Sequence, residues 1–147
     1  MANTNIFNAQ EVLVGTHARV WIDDTEYIEA KGLEIKLTPQ FGDVDVINSM
    51  AKHKKLIGYE GTGEITLNKR TSRLMKMVVD NLQVGKPTIV KIVSALADPS
   101  ALGTERIVVY DALLEDSTLA SWASKEVLEE KVPFSFTKCD VLEHIDA

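Results

Sequence analysis

Leu33-Glu34-Ile35-Lys36-Leu37-Thr38 and, thirty residues on, Glu64-Ile65-Thr66-Leu67-Asn68 decide the fold. In both, apolar and polar residues alternate with a period of two, which turns one row of side chains to a core and the other to water. These are half-buried strands. Upstream, Arg19-Val20-Trp21-Ile22 runs into the polar Asp23-Asp24-Thr25-Glu26 and resumes at Tyr27-Ile28, the pattern of a hairpin. Downstream the period changes. Thr71 or Ser72 caps a helix over residues 72–84 with an apolar stripe of Leu74, Met75, Val78, Val79 and Leu82, and Gly85 stops it.

Beyond the helix, Thr88 to Ala97 is rich in β-branched residues and apolar on both faces, which predicts a core strand covered on both sides. A loop over 98–103 precedes Arg106-Ile107-Val108-Val109-Tyr110, and further strands fit Leu113 to Trp122 and Val127 to Cys139. About seven strands with short polar connections and one helix predict a mainly β (α+β) fold, an antiparallel β-sandwich or barrel with a single flanking α-helix. At 147 residues the chain reads as one domain over 1–147, with an Asn-rich N-terminal arm (1–10) and a long inter-strand loop (39–59).

Sixteen basic against 22 acidic residues give a net charge of -6, which disfavours nonspecific attraction to nucleic acid or anionic lipid. The single cysteine, Cys139, excludes an internal disulfide or a Cys-rich zinc site. No uncharged apolar run reaches the roughly 18 residues of a membrane span, and the first basic residue is Arg19, too late for a signal-peptide start. A soluble protein made and folded in the cytosol is expected.

Chemistry-bearing motifs are absent from the sequence. Gly58-Tyr59-Glu60-Gly61-Thr62-Gly63 is followed by a strand and lacks the Gly-Lys-Ser/Thr end of a phosphate loop, so its glycines read as close backbone approaches. Asp43-Val44-Asp45 opens like a calcium loop but lacks the turn glycine and the closing glutamate. His17, His53 and His144 stand far apart, and the adjacent pairs Asp23-Asp24, Glu115-Asp116 and Glu129-Glu130 alternate faces on a strand, which is wrong for a shared proton. No Gly-x-Ser-x-Gly elbow occurs. The reading predicts no catalytic, cofactor or metal site.

The informative segment is the loop over 39–59. Val44, Val46, Ile47, Met50, Leu56 and Ile57 are too apolar for a free surface loop, and Lys52, Lys54 and Lys55 add a basic cluster suited to an acidic neighbour. Such a loop is expected to be covered, by its own domain or by another subunit.

At this point the sequence resembles the XkdM-like tail tube proteins of contractile bacteriophage tails and PBSX-type defective prophages, over nearly the whole chain. The likeness rests on Val20-Trp21-Ile22-Asp23, the run from Gly58 to Leu67, Thr71-Ser72-Arg73, Asp98, Gly103-Thr104-Glu105-Arg106-Ile107, Leu119-Ala120-Ser121-Trp122 and Val132-Pro133-Phe134-Ser135-Phe136-Thr137, in that order and spacing. The resemblance implies a β-sandwich whose copies close into hexameric rings that stack into an inner tube around a channel for DNA. It implies as partners other copies of the chain, the sheath, and tape-measure, baseplate and terminator proteins, with assembly in the host cytoplasm and a final place in the tail of a virion or phage-like particle. It implies no enzyme activity. Under it, the loop reaches a neighbouring subunit, and an acidic channel would let DNA slide, with Glu34 and Glu64 as candidate lumen-facing residues. Two alternatives stand beside it: the tube of a phage-tail-like bacteriocin, and, from a different class, a monomeric β-barrel that binds a small apolar ligand beneath the 39–59 loop as a lid. A hydrolase would need the scattered histidines and carboxylates to meet.

Overall fold

The computed structural model describes residues 7–145. Two short 3-10 turns, Ala9–Glu11 and Gly15–His17, lead into β1 (Ala18–Ile22), β2 (Thr25–Glu26), β3 (Ala30–Val44), β4 (His53–Asn68), α1 (Arg73–Gln83), β5 (Ile89–Leu96), β6 (Glu105–Leu114), β7 (Glu129–Phe136) and β8 (Lys138–Glu143). Of the N-terminal arm expected over 1–10, residues 1–6 lie outside the described residues. All strand pairs are antiparallel, in one sheet of order β2-β1-β5-β6-β7-β4-β3, with β8 paired to β6 off that path. The sheet is not closed. It curls around one core, in which Val20 and Ile22 of β1 and Val90, Ile92 and Val109 of β5 and β6 meet Ile65, Leu67, Val132 and Phe134 of β4 and β7.

Local chemistry explains the joints. Asp23 and Asp24 both take positive φ (50° and 66°), the two-residue turn that matches strand twist, and the Asp23 carboxylate accepts from the Lys91 backbone N–H at 2.8 Å. Helix α1 ends at Gly85 (φ +76°), where the N–H of Gly85 donates to Leu82 and that of Lys86 to Asn81, closing two orphan carbonyls. At its start Ser72 holds the capping position but makes no side-chain cap bond. Leu74 and Val78 are buried and Met77 packs on the core, whereas Leu82, expected in the apolar stripe, is exposed. In β6, Asp111 adopts φ 52°, and there the strand passes from pairing with β8 to pairing with β7.

Three expectations are corrected. There are eight strands, because Val127 to Cys139 divides into β7 and β8, while Leu113 to Trp122 is strand only as far as Leu114. Strand β5 buries Val90 and Ile92 on one face but leaves Ile89 and Lys91 exposed on the other, where only Ala95 is buried, so its second face is covered only in part. The third concerns residues 39–59, which are not a loop: 39–44 continue β3, 53–59 belong to β4, and only 45–52 form the connection.

Candidate assembly surface

Strands β3 and β4 have 15 and 16 residues, far longer than the other strands. Their proximal part is embedded, since Gly61 to Asn68 of β4 pair with β7 on the other side. Among the described residues β4 has only β3 as a partner from residue 60 outward, so the hairpin leaves the domain as a two-stranded ribbon with no strand paired to either outer edge. At about 3.4 Å per residue, the eight residues from Leu37 to Val44 extend it by roughly 27 Å. An isolated pair of strands is marginal in water and its edges are templates for further pairing.

The register shows how the core face is carried onto the ribbon. Leu33 and Ile35 pack against the core, and the same side continues through Leu37, Pro39 opposite Tyr59, and Phe41 opposite Leu56. Phe41 is 54% exposed and Leu37, Leu56 and Tyr59 are similarly open. A bulge between Gln40 and Phe41 shifts the register. Ile57 then lies beside Gly42, where an added Cβ would meet its Cγ2 at 3.3 Å. At the tip Ile47 is 90% exposed, and Val44, Val46 and Met50 are exposed too. Lys52, Lys54 and Lys55 are likewise exposed, with Lys54 opposite Asp43 and Lys55 opposite Gly42 on the other face. The Ser49 hydroxyl and His53 Nε2 are 2.9 Å apart across the tip, and the Tyr59 hydroxyl donates to the Thr137 carbonyl at 2.8 Å, bracing the ribbon at its base.

The opposite face is polar. Glu34 stands directly across from Glu64, Lys36 from Thr62 and Thr38 from Glu60, and Lys131 of β7 continues the row beside Thr66. Both Glu34 and Glu64 are exposed, and Lys36 Nζ approaches Glu34 Oε1 at 3.3 Å, offsetting the repulsion of the facing carboxylates.

Phe41 and Tyr59 are not singled out by the sequence reading, and Leu37 is read only as a core-facing strand residue, although the alternation of Leu33, Ile35 and Leu37 points onward through Phe41. Nor is Glu29 singled out. Its buried carboxylate accepts from Arg73 Nη2 at 2.9 Å, with Arg70 Nη1 at 3.9 Å, and the Arg73 guanidinium lies 3.7 Å above the Tyr27 ring. Burial pushes the Tyr27 phenol up from its ordinary value, with the Arg73 charge pulling the other way. This cluster fixes the start of α1 to the sheet.

The two ends of the open sheet bound a slot of about 640 Å³, lined by Val20, Tyr27, Leu33, Ile35, Leu96 and Ile107 among others. It opens between β1 and β3 and is not the interior of a closed barrel. The ribbon runs outward, so it is no lid in the sense of the ligand-binding alternative. His17 ends the second 3-10 turn, His53 begins β4 and His144 follows β8, and among the described residues no three His, Cys, Asp or Glu gather as metal ligands. Nor is any helix among them long and apolar enough to cross a membrane.

An open antiparallel sheet whose apolar ribbon runs beyond its own core defines a β-protein that leaves core-type surface uncovered within the subunit. Residues 5–143 match the family described as phage tail tube protein, and the chain belongs to that family. It is 30% identical over 139 residues to the phage-like element PBSX protein XkdM of Bacillus subtilis (strain 168), covering 93% of this chain and 95% of that one. Its fold matches that of a chain in the structure of the sheath/tube terminator of an extracellular contractile injection system, PVC, in the extended state (TM-score 0.73, 9% identity, 92% of this chain and 100% of that chain). A chain of the PVC sheath-tube complex superposes with a TM-score of 0.69 at 9% identity, over 90% of this chain and 93% of that one.

Proposed function

We propose that the chain is the structural subunit of the inner tail tube of a contractile phage tail or phage-like particle, and that it works by assembly, without catalysis. Copies close into hexameric rings, and the rings stack around a channel for DNA. The observation that carries this reading is the β3–β4 ribbon: a core-type apolar face that continues about 27 Å beyond the subunit's own core needs a second copy to bury it. A ribbon reaching a neighbour is a heterologous contact, in which unlike patches meet, and such contacts generate rings or open filaments rather than isolated dimers.

Under this proposal Val44, Val46, Ile47, Met50, Leu56 and Ile57 supply the buried part of the contact, and Lys52, Lys54 and Lys55 pair with acidic groups of the neighbour. The face with Glu34, Glu60 and Glu64 is the lumen side. Its acidic excess is small because Lys36 and Lys131 share it, so the channel repels phosphate weakly and uniformly without holding DNA. Sheath, tape-measure, baseplate and terminator proteins are the further partners, and assembly takes place in the host cytoplasm.

The test is negative-stain electron microscopy of the purified protein over a concentration series. Hollow rings or tubes of one diameter are expected. Strictly monomeric particles at millimolar concentration, also in the presence of isolated baseplates, would overturn the reading.

A further inference from the structure

The second face of the β1–β5–β6 sheet, the one turned away from the core, carries a feature that the tube reading does not use. Register sets Arg19 of β1, Ala95 of β5 and Arg106 of β6 side by side in one row. Strands are about 4.8 Å apart, so the two arginines spring from positions roughly 10 Å apart on either side of a methyl group. Long side chains flanking a small residue converge above it. A cleft of about 390 Å³ opens there, floored by Ala95 and Ala97 and lined by Arg19, Arg106, His17, Thr16 and Thr104, with no carboxylate in its wall.

The charges are poorly compensated for a protein of net charge -6. Among the described residues Arg106 makes no ion pair, and its Nε is buried without a hydrogen-bond partner. Glu143, the next residue in the row on β8, is exposed and makes no ion pair with it. Among the described residues Arg19 has only a long contact, Nε to Glu26 Oε1 at 3.8 Å, at the sheet edge. An orphaned buried guanidinium N–H is costly, and a guanidinium presents a planar fork that matches an oxyanion.

We propose that this cleft is an oxyanion site, in which Arg19 and Arg106 grip a phosphate- or carboxylate-type group and the hydroxyls of Thr16 and Thr104 complete its hydrogen bonds. The anion comes either from solution or from a carboxylate side chain of a second copy. This inference stands apart from the tube reading, because it concerns the face of the sheet opposite the core.

Titration of the full-length dispersed protein with inorganic phosphate at constant ionic strength, followed by amide chemical shifts, tests it. Saturable shifts centred on residues 16–19 and 104–106 are expected. Arg106→Gln weakens the apparent affinity by about tenfold or more. Arg19→Gln, on an exposed side chain whose loss leaves β6 intact, weakens it as well, and Lys86→Gln does not. A solution anion leaves the assembly of Arg106→Gln unchanged, whereas a partner carboxylate makes assembly fall with Arg106→Gln and with added phosphate. Shifts that rise linearly with phosphate, or that are the same in wild type and both arginine variants, overturn the site.

Discussion

The Phe134 ring fills the space where a side chain at Gly63 would begin: a Cβ there would lie 2.3 Å from Phe134 Cζ and 2.5 Å from the Glu34 carbonyl oxygen. Gly61 stands in the same relation to Phe136, whose Cε2 would be 2.6 Å from an added Cβ. The two glycines lie on the core face of β4, opposite the two phenylalanines of β7, so the missing side chains let the rings close over the backbone. Gly63→Ala is therefore expected to destabilise the subunit by about 1–3 kcal/mol through overpacking. Gly32→Ala is the control, since the nearest atom to its added Cβ is 3.9 Å away. Urea midpoints compare them, and a Gly63→Ala midpoint as high as that of Gly32→Ala would remove the packing argument.

Glu29 ties helix α1 to the sheet, and breaking the pair from the arginine side leaves the carboxylate buried. Arg73→Ala is expected to cost about 2 kcal/mol, less than the ~3–5 kcal/mol of a wholly buried pair, because Arg73 is partly in water and Arg70 stands near. Adding Glu29→Gln should recover part of that loss, since no orphan charge remains. Chemical denaturation of the double-mutant cycle measures the coupling, and strictly additive losses would show that the contact is idle.

Much of this fold was legible. Alternation placed the inner halves of β3 and β4, strand-like runs placed β1 and β6, and the glycine at 85 marked the end of the helix. The ribbon was hidden because Pro39 and Gly42 look like strand breakers. Pro39 is tolerated because β3 is an edge strand, where a missing N–H need cost no ladder bond. Gly42 lies next to a bulge, where Ile57 takes up the free space. The apolar residues of 44–57 were legible as needing a cover, but their arrangement as a face continuous with the core depends on register, which periodicity alone does not give across a bulge. The arginine cleft was invisible for a related reason: Arg19 and Arg106 are 87 positions apart and meet only through the pairing of β1 and β6 with β5.

Acid should act on the Lys31–Glu129 pair, which joins the start of β3 to that of β7. A hydrogen bond from Lys31, and then its charge, hold the Glu129 carboxyl below its ordinary value of 4.5. A carboxylate with a lowered folded pKa contributes stability that is present above the unfolded value and lost as pH falls through the folded one. Melting temperatures of wild type and Lys31→Met should thus differ most near neutral pH and converge as the pH drops below about 4.5. Curves that stay parallel from pH 7 to pH 3 would dissociate this pair from acid stability.

The ribbon tip separates folding from assembly. Ile47 and Met50 are exposed in the subunit, so Ile47→Asp with Met50→Asp should leave its melting temperature nearly unchanged, as surface substitutions usually stay within about 0.5 kcal/mol. Under the proposed assembly the same positions become buried, and two carboxylates there should abolish rings and tubes at concentrations where wild type forms them. Lys52, Lys54 and Lys55 act differently, because exposed pairs are screened over about 8 Å at physiological ionic strength. Replacing all three by Gln should weaken assembly at low salt and matter little at 1 M NaCl, where the apolar tip alone drives contact. Sedimentation velocity resolves both effects. Tubes formed by the Ile47→Asp/Met50→Asp protein would show that the ribbon tip is not the contact and that the free sheet edges carry assembly instead.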